Sequence, residues 1–253
     1  MNKSILYTLA LTVSFLSACG LPTDDEDTAD GYTGSTPSGQ ASYNVYVANR
    51  NDAISVLDEL DTTAVLADAP ANDTARLEGT YAINSTESFG TALVGDMTMN
   101  VDFGAETVSG SLTNNFLDRD NTAESEVTEL DGKVSFTGSL DLDPNGDFYD
   151  STNTEAWQLE ASGKGTLTDS ATETVSSTQY RLDFDLYGNF YDTTGVGDVD
   201  GVGTIGDVAA GGLIEGNVDV TTDGDTVIYD ITNSELYDED GDSSGFLVYE
   251  LED

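Results

Sequence analysis

The residue types able to do chemistry in this chain are almost all oxygen donors. Its 253 residues hold 49 Asp and Glu, 12 Tyr and no His, and Cys19 is the one thiol. Without an imidazole there is no Ser-His-Asp or Cys-His nucleophile and no His-ligated zinc, copper or haem. A single thiol closes no disulfide within the chain and cradles no iron–sulfur cluster. Carboxylate and hydroxyl chemistry remains, and so does oxygen-ligated calcium. No acid–base pair of the glycosidase kind can be singled out among 49 carboxylates. The expectation is a protein that is not an enzyme and carries no cofactor.

Three local patterns stand out against that background. Asp141-Leu142-Asp143-Pro144-Asn145-Gly146-Asp147 has the Asp-x-Asp-x-Asn-Gly opening of a calcium loop, with Asp141, Asp143, Asn145 and Asp147 as candidate ligands. Its twelfth position is Thr152 rather than the bidentate Glu, and Pro144 and Gly146 equally suit a plain strand connection. Gly201-Val202-Gly203-Thr204-Ile205-Gly206 matches the dinucleotide glycine pattern, but no helix is expected after it. The flanking Asp198, Asp200 and Asp207 would repel phosphate, so a loop at a barrel end is expected there. Finally, Gly146-Asp147-Phe148-Tyr149-Asp150 echoes Gly188-Asn189-Phe190-Tyr191-Asp192. Phe148, Tyr149, Phe190 and Tyr191 are candidate partner contacts, since exposed aromatic rings anchor partners; ordinary strand ends account for the same residues.

The elements that must position these residues read as strands. From Leu77 onward apolar residues recur at every second position: Leu77, Gly79, Tyr81, Ile83; then Met97, Met99, Val101, Phe103; then Val108, Gly110, Leu112. The stripes continue through Val134–Leu142, Trp157–Ala161, Tyr180–Leu186, Ile214–Val220, Val227–Ile231 and Phe246–Leu251. Each stripe has a polar opposite face and a turn-rich boundary, which is the signature of antiparallel strands. The spacing predicts an all-β fold: an antiparallel up-and-down barrel of eight strands, or nine, over 76–253, in which closure removes exposed edges. A transmembrane barrel would need an apolar outer band, and here the polar face is densely acidic. Residues 43–75 read as a lead-in packed on this domain, with a short strand at Tyr43–Val47. A short helix follows, carrying Ile54, Leu57 and Leu60 behind a cap at Asn51 or Asp52.

Upstream, Lys3 and the apolar run Ile5–Leu16 form the n- and h-regions of a secretory signal spanning 1–18; the run is shorter than the roughly 20 residues of a membrane-spanning helix. Leu16-Ser17-Ala18-Cys19 resembles the lipobox of bacterial lipoproteins, in which the cysteine is acylated and becomes the first residue. Gly20 in place of an aspartate favours the outer membrane in the Gram-negative sorting pattern. Residues 19–42, with Pro22, Pro37 and the cluster Asp24-Asp25-Glu26-Asp27, read as an acidic flexible tether. The net charge of −42 repels nucleic acid phosphates and anionic headgroups alike. Acyl chains on Cys19, not a basic patch, would therefore hold the chain at the membrane. The same acidity fits a marine or salt-loving source, where screening weakens self-repulsion.

Met97-Thr-Met-Asn-Val-Asp-Phe-Gly-Ala-Glu-Thr-Val-Ser-Gly-Ser-Leu112 resembles a hairpin in the barrel domain of transferrin-binding protein B-like lipoproteins: an alternating strand ends in Asp-Phe-Gly, turns and returns as Val-Ser-Gly-x-Leu. Ala75–Tyr81 is similar to that family's opening strand, and Leu186–Tyr191 to its Gly-x-Phe-Tyr strand, followed by a Gly-Gly turn, here Val208–Gly212. The resemblance covers about residues 75–220 and implies an eight-stranded barrel on an anchor peptide. It also implies display at the outer membrane, often on the cell surface, and binding of host iron or haem proteins; this chain has one barrel rather than two lobes, so its own ligand, a protein or a small molecule, is left unnamed. The other reading is a structural or calcium-binding envelope lipoprotein facing the periplasm.

Overall fold

The computed structural model describes residues 37–60, 65–84, 92–118, 127–143, 155–169, 177–231 and 244–251. Cys19, the signal, most of the expected tether, and Asn145, Asp147, Phe148 and Tyr149 lie outside the described residues.

Among the described residues one helix, α1 (Pro37–Leu60), precedes eleven strands. They are β1 (Thr74–Ile83), β2 (Ala92–Asp102), β3 (Thr107–Asp118), β4 (Val127–Asp131), β5 (Val134–Asp143) and β6 (Ala156–Asp169). β7 (Gln179–Asp192), β8 (Asp198–Val199), β9 (Gly203–Thr222), β10 (Asp225–Ile231) and β11 (Gly245–Leu251) follow. Every pairing is antiparallel, and they run round a ring of about eight strand positions. β1 pairs β2, β2 pairs β3, and β3 pairs both β4 and β5 along its length. β6 lies beside β5, β7 beside β6, and β9 beside β7. β11 then joins β9 back to β1 and closes the barrel.

Two of the eight positions are shared by interrupted strands. β4 and β5 are one strand broken at Gly132, whose φ of 132° lies where a residue with a Cβ is strained. β10 and β11 both flank β9 on the same side, one above the other. The β9–β10 hairpin turns through Asp223 and Gly224, both at positive φ, the Asp-Gly combination that a two-residue hairpin favours.

Apart from that of β10, of which only Ile231 is buried, the period-two stripes face inward and form one core cluster. That cluster includes Leu77, Tyr81, Met97, Met99, Val108, Leu112, Phe136, Leu159, Leu182, Phe184, Ile214 and Val248. Large and small residues alternate around it. Following the registers, Met99 faces Gly110, Gly110 faces Phe136, Phe136 faces Gly163, Gly163 faces Phe184, and Phe184 faces Gly216. A Cβ on Gly110 would run into the Phe136 ring, and one on Gly163 into the Phe184 ring. The rings lie over glycines on neighbouring strands, so a small barrel is filled without overpacking. The outward positions of β5 to β7 are Ser135, Thr137, Ser139, Glu160, Ser162, Lys164, Asp183 and Asp185. Apolar inside and polar outside is the reverse of a lipid-facing barrel.

One end of the barrel is closed by the segment leading into β1. Leu66 N donates to Phe190 O at 2.8 Å and Trp157 N donates to Leu66 O at 2.8 Å, so this segment is wedged between the neighbouring ends of β7 and β6. Beneath it Phe103 packs edge-on against both Trp157 and Phe190, with ring centroids 5.3 and 5.2 Å apart.

Two expectations are corrected. Tyr43–Val47 is not a strand but part of α1, which starts at Pro37 inside the expected tether and places Asn51 and Asp52 mid-helix, not at a cap. Tyr43, Tyr46, Arg50, Ala53, Val56 and Leu60 are its buried residues, at spacings of three and four, and that stripe decides the structure. Val208–Gly212 is not a turn but the middle of β9, paired with β7 on one side and, from Ala209, with β11 on the other.

Candidate functional site

The candidate residues that fall within the described chain do not form one site. Asp141 and Asp143 stand near the end of β5, opposite Gln158 and Ala156, on the outward side of the wall. Among the described residues no three His, Cys, Asp or Glu side chains are placed to hold a metal ion. Phe190 is wholly buried in the barrel interior, so its ring is core and not a partner anchor. Tyr191, one residue on, faces outward and packs against the second cluster, beneath the C-terminal half of α1. The glycine pattern Gly201–Gly206 runs from a tight turn straight into β9, and Val202 N donates to Val199 O at 3.0 Å across that turn. No helix follows it, as expected for a barrel-end loop.

The most built part of the surface is one the sequence did not indicate: the seam between α1 and the wall. The helix runs down the outside of β1, β2, β3 and β11. At its upper end Tyr43 and Tyr46 pack on Phe116, with centroids 5.3 and 5.9 Å away, and on Ala82 and Val94. At its lower end Ala53, Val56 and Leu60 meet Leu247, Tyr249, Ala209 and Ile205, with Val199 of the β8 ribbon. Small residues on the β9 wall, Ala209 among them, leave room for this approach.

Between the two apolar patches the seam is polar. Asp96 stands where the β2–β3 register shifts, with Asn114 of β3 at a φ of 50°. Asn49 of α1 donates Nδ2 to Asp96 Oδ1 at 3.0 Å, and Asn114 donates Nδ2 to Asp96 Oδ2 at 3.0 Å. One carboxylate thus clasps helix to barrel. Burial raises the Asp96 carboxyl above its ordinary 3.8; the two amide donors oppose that rise and the charge of Glu78 adds to it. Asp52 on the helix is raised by burial as well. The Tyr249 phenol is pushed up first by burial and then by Asp52 and Glu78.

On the inner side of the same wall, Tyr81 donates to Asn115 Oδ1 at 2.6 Å, and Asn115 Nδ2 donates to Gly132 O at 2.9 Å. This fastens the kink of the interrupted strand to β1. Burial, with the nearby Asp96 charge, keeps the Tyr81 phenol well above its usual value and therefore neutral. Both clusters fix geometry, and the Asp96 clasp can also respond to a proton. The sequence signal for them was slight: isolated Asn and Asp at positions where the stripe fell out of phase.

Compared with known protein families, with characterised proteins and with solved structures, the chain matches none.

Proposed function

We propose that the chain is an outer-membrane lipoprotein whose barrel is a non-enzymatic binding scaffold, anchored through acyl chains on Cys19. The observation that carries this is the filled interior. Core side chains from every wall strand meet at the centre, so another molecule can engage only the rims and the outside. A rigid, polar-walled body with an N-terminal anchor is a display device, and a chain without histidine is poorly equipped for most catalysis. The lipobox Leu16-Ser17-Ala18-Cys19 supports the anchor, and the likeness of the Met97–Leu112 hairpin to transferrin-binding protein B-like lipoproteins supports surface display. The ligand is a protein or a small molecule held on that outer surface.

Metabolic labelling with an alkyne-bearing palmitate tests the anchor. Label on the natural chain and none on Cys19→Ser is the expected result, and an unlabelled natural chain overturns the proposal. Protease shaving of intact cells tests display, and complete protection of the barrel would place it on the periplasmic side.

A further inference from the structure

Among the described residues β10 has a strand on one side only. β9 spans twenty residues, and β11 accompanies it only from Ile205 to Leu213. Beyond that point β10 takes the same side of β9, pairing from Gly216 to Thr222 without a bulge. β11 has its own outer neighbour in β1, which reaches Ile83. Asn84 then exchanges hydrogen bonds with Ser244 just before β11 begins, at 2.8 Å through its N–H and 3.1 Å through its carbonyl. Past that lock, β10 has β9 on one side and, among the described residues, no strand on the other.

The side chains along this edge fit a strand partner. Val227 and Ile228 are adjacent, face opposite sides of the sheet, and are 53% and 65% exposed. An added strand would cover both. Edges are commonly guarded by Pro, Lys or a bulge, and β10 has none of these. It carries Asp225 and Asp230 at its two ends instead, in a chain of net charge −42. Those charges oppose a second copy of this acidic chain and favour a cationic strand.

We propose that the outer edge of β10 is a docking site for an extended peptide segment with an apolar centre and Lys or Arg at its ends. The segment adds as a further antiparallel strand, with backbone hydrogen bonds supplying affinity and the two acids setting the charge of the partner. The inference does not depend on the membrane anchor.

The test uses the full chain and an acetylated heptapeptide with Lys at both ends and alternating Thr and Val between. Binding is followed by fluorescence anisotropy in about 0.15 M salt, where charges beyond about 8 Å are screened. The expected result is saturable binding, weaker by about tenfold or more for the same peptide with Glu at its ends. The preference should reverse in Asp225→Lys/Asp230→Lys, whose fold is checked by its melting curve. An N-methylated peptide that cannot donate along one edge should bind about tenfold more weakly or worse. Equal binding of the methylated peptide would mean mere adsorption to an acidic surface and would overturn the proposal. A preference unchanged by the charge swap, or no saturable binding, would also overturn it. So would a dimer in light scattering that Ile228→Lys dissolves, since a second copy would then occupy the edge.

Discussion

The Tyr81 hydroxyl reaches Asn115 Oδ1 at 2.6 Å inside the barrel, joining residues 34 positions apart in sequence. Asn115 in turn holds Gly132 O, so β1, β3 and the kink between β4 and β5 are pinned at one buried point. A buried acceptor that loses its donor costs more than the bond itself was worth.

Tyr81→Phe should therefore destabilise the barrel by about 1–3 kcal/mol in urea unfolding. Adding Asn115→Leu should cost less than the sum of the two single changes, because it also removes the stranded acceptor. Strict additivity of the two would show that the hydrogen bond is not shared in this way.

Gly110→Ala places a methyl group in the Phe136 ring's space and should cost about 1–3 kcal/mol or more through overpacking. Part of the clash is with backbone of β2, so Phe136→Leu in the same chain should recover only part of the loss. Thermal melts of the four chains measure the coupling, and a neutral Gly110→Ala would mean that the ring does not lie over the glycine.

Most of the barrel was legible because the wall strands from β1 to β7, away from the helix seam, have one buried face and one wetter one, which leaves period two in the sequence. Legibility failed where both faces are covered. Val208 to Ile214 of β9 are all buried, with the core on one side and α1 and β8 near the other, so no alternation marks them as strand. The second half of the helix was expected from Ile54, Leu57 and Leu60, but its first half was missed for a related reason. Its buried stripe includes Arg50 and two tyrosines beside the β-branched Val45 and Val47, so a short window looks like a strand while the longer period is diluted. The seam was invisible because Asn49, Asp96 and Asn114 are far apart in sequence and meet only through a register shift. Phe190 shows the opposite limit: an aromatic strand end is equally good core or anchor until its direction is known.

The Asp96 clasp gives stability a pH dependence with a definite sign. Its folded value is raised above the ordinary 3.8, so the folded chain holds the proton more tightly. The stabilisation is complete below the unfolded value and is lost as pH rises through the folded one. Unfolding free energy should therefore fall as pH is raised from about 4. Asp96→Asn should flatten that fall; an unchanged slope would assign it to the other carboxylates.

Self-repulsion predicts a response to salt. Raising sodium chloride from 0.1 to 1 M shortens the screening length from about 10 to about 3 Å, and the melting temperature should climb steadily. Sucrose matched for its effect on water activity should raise it less. The reverse ranking would mean that repulsion among the 49 acids is not what limits stability.

The course of α1 gives the barrel a distinct upper and lower end. The helix enters beside Ala82, Val94 and Phe116, at the rim where β1, β3 and β6 end and β10 begins, and descends towards the floor at Leu66. The chain therefore enters the described fold at the upper rim. With acyl chains at Cys19, that rim would hang nearest the bilayer and the floor would point outward. The outer side of β10, which pairs with no other strand among the described residues, begins at the same upper rim, so on the proposed anchor a strand partner would approach from the bilayer side of the barrel.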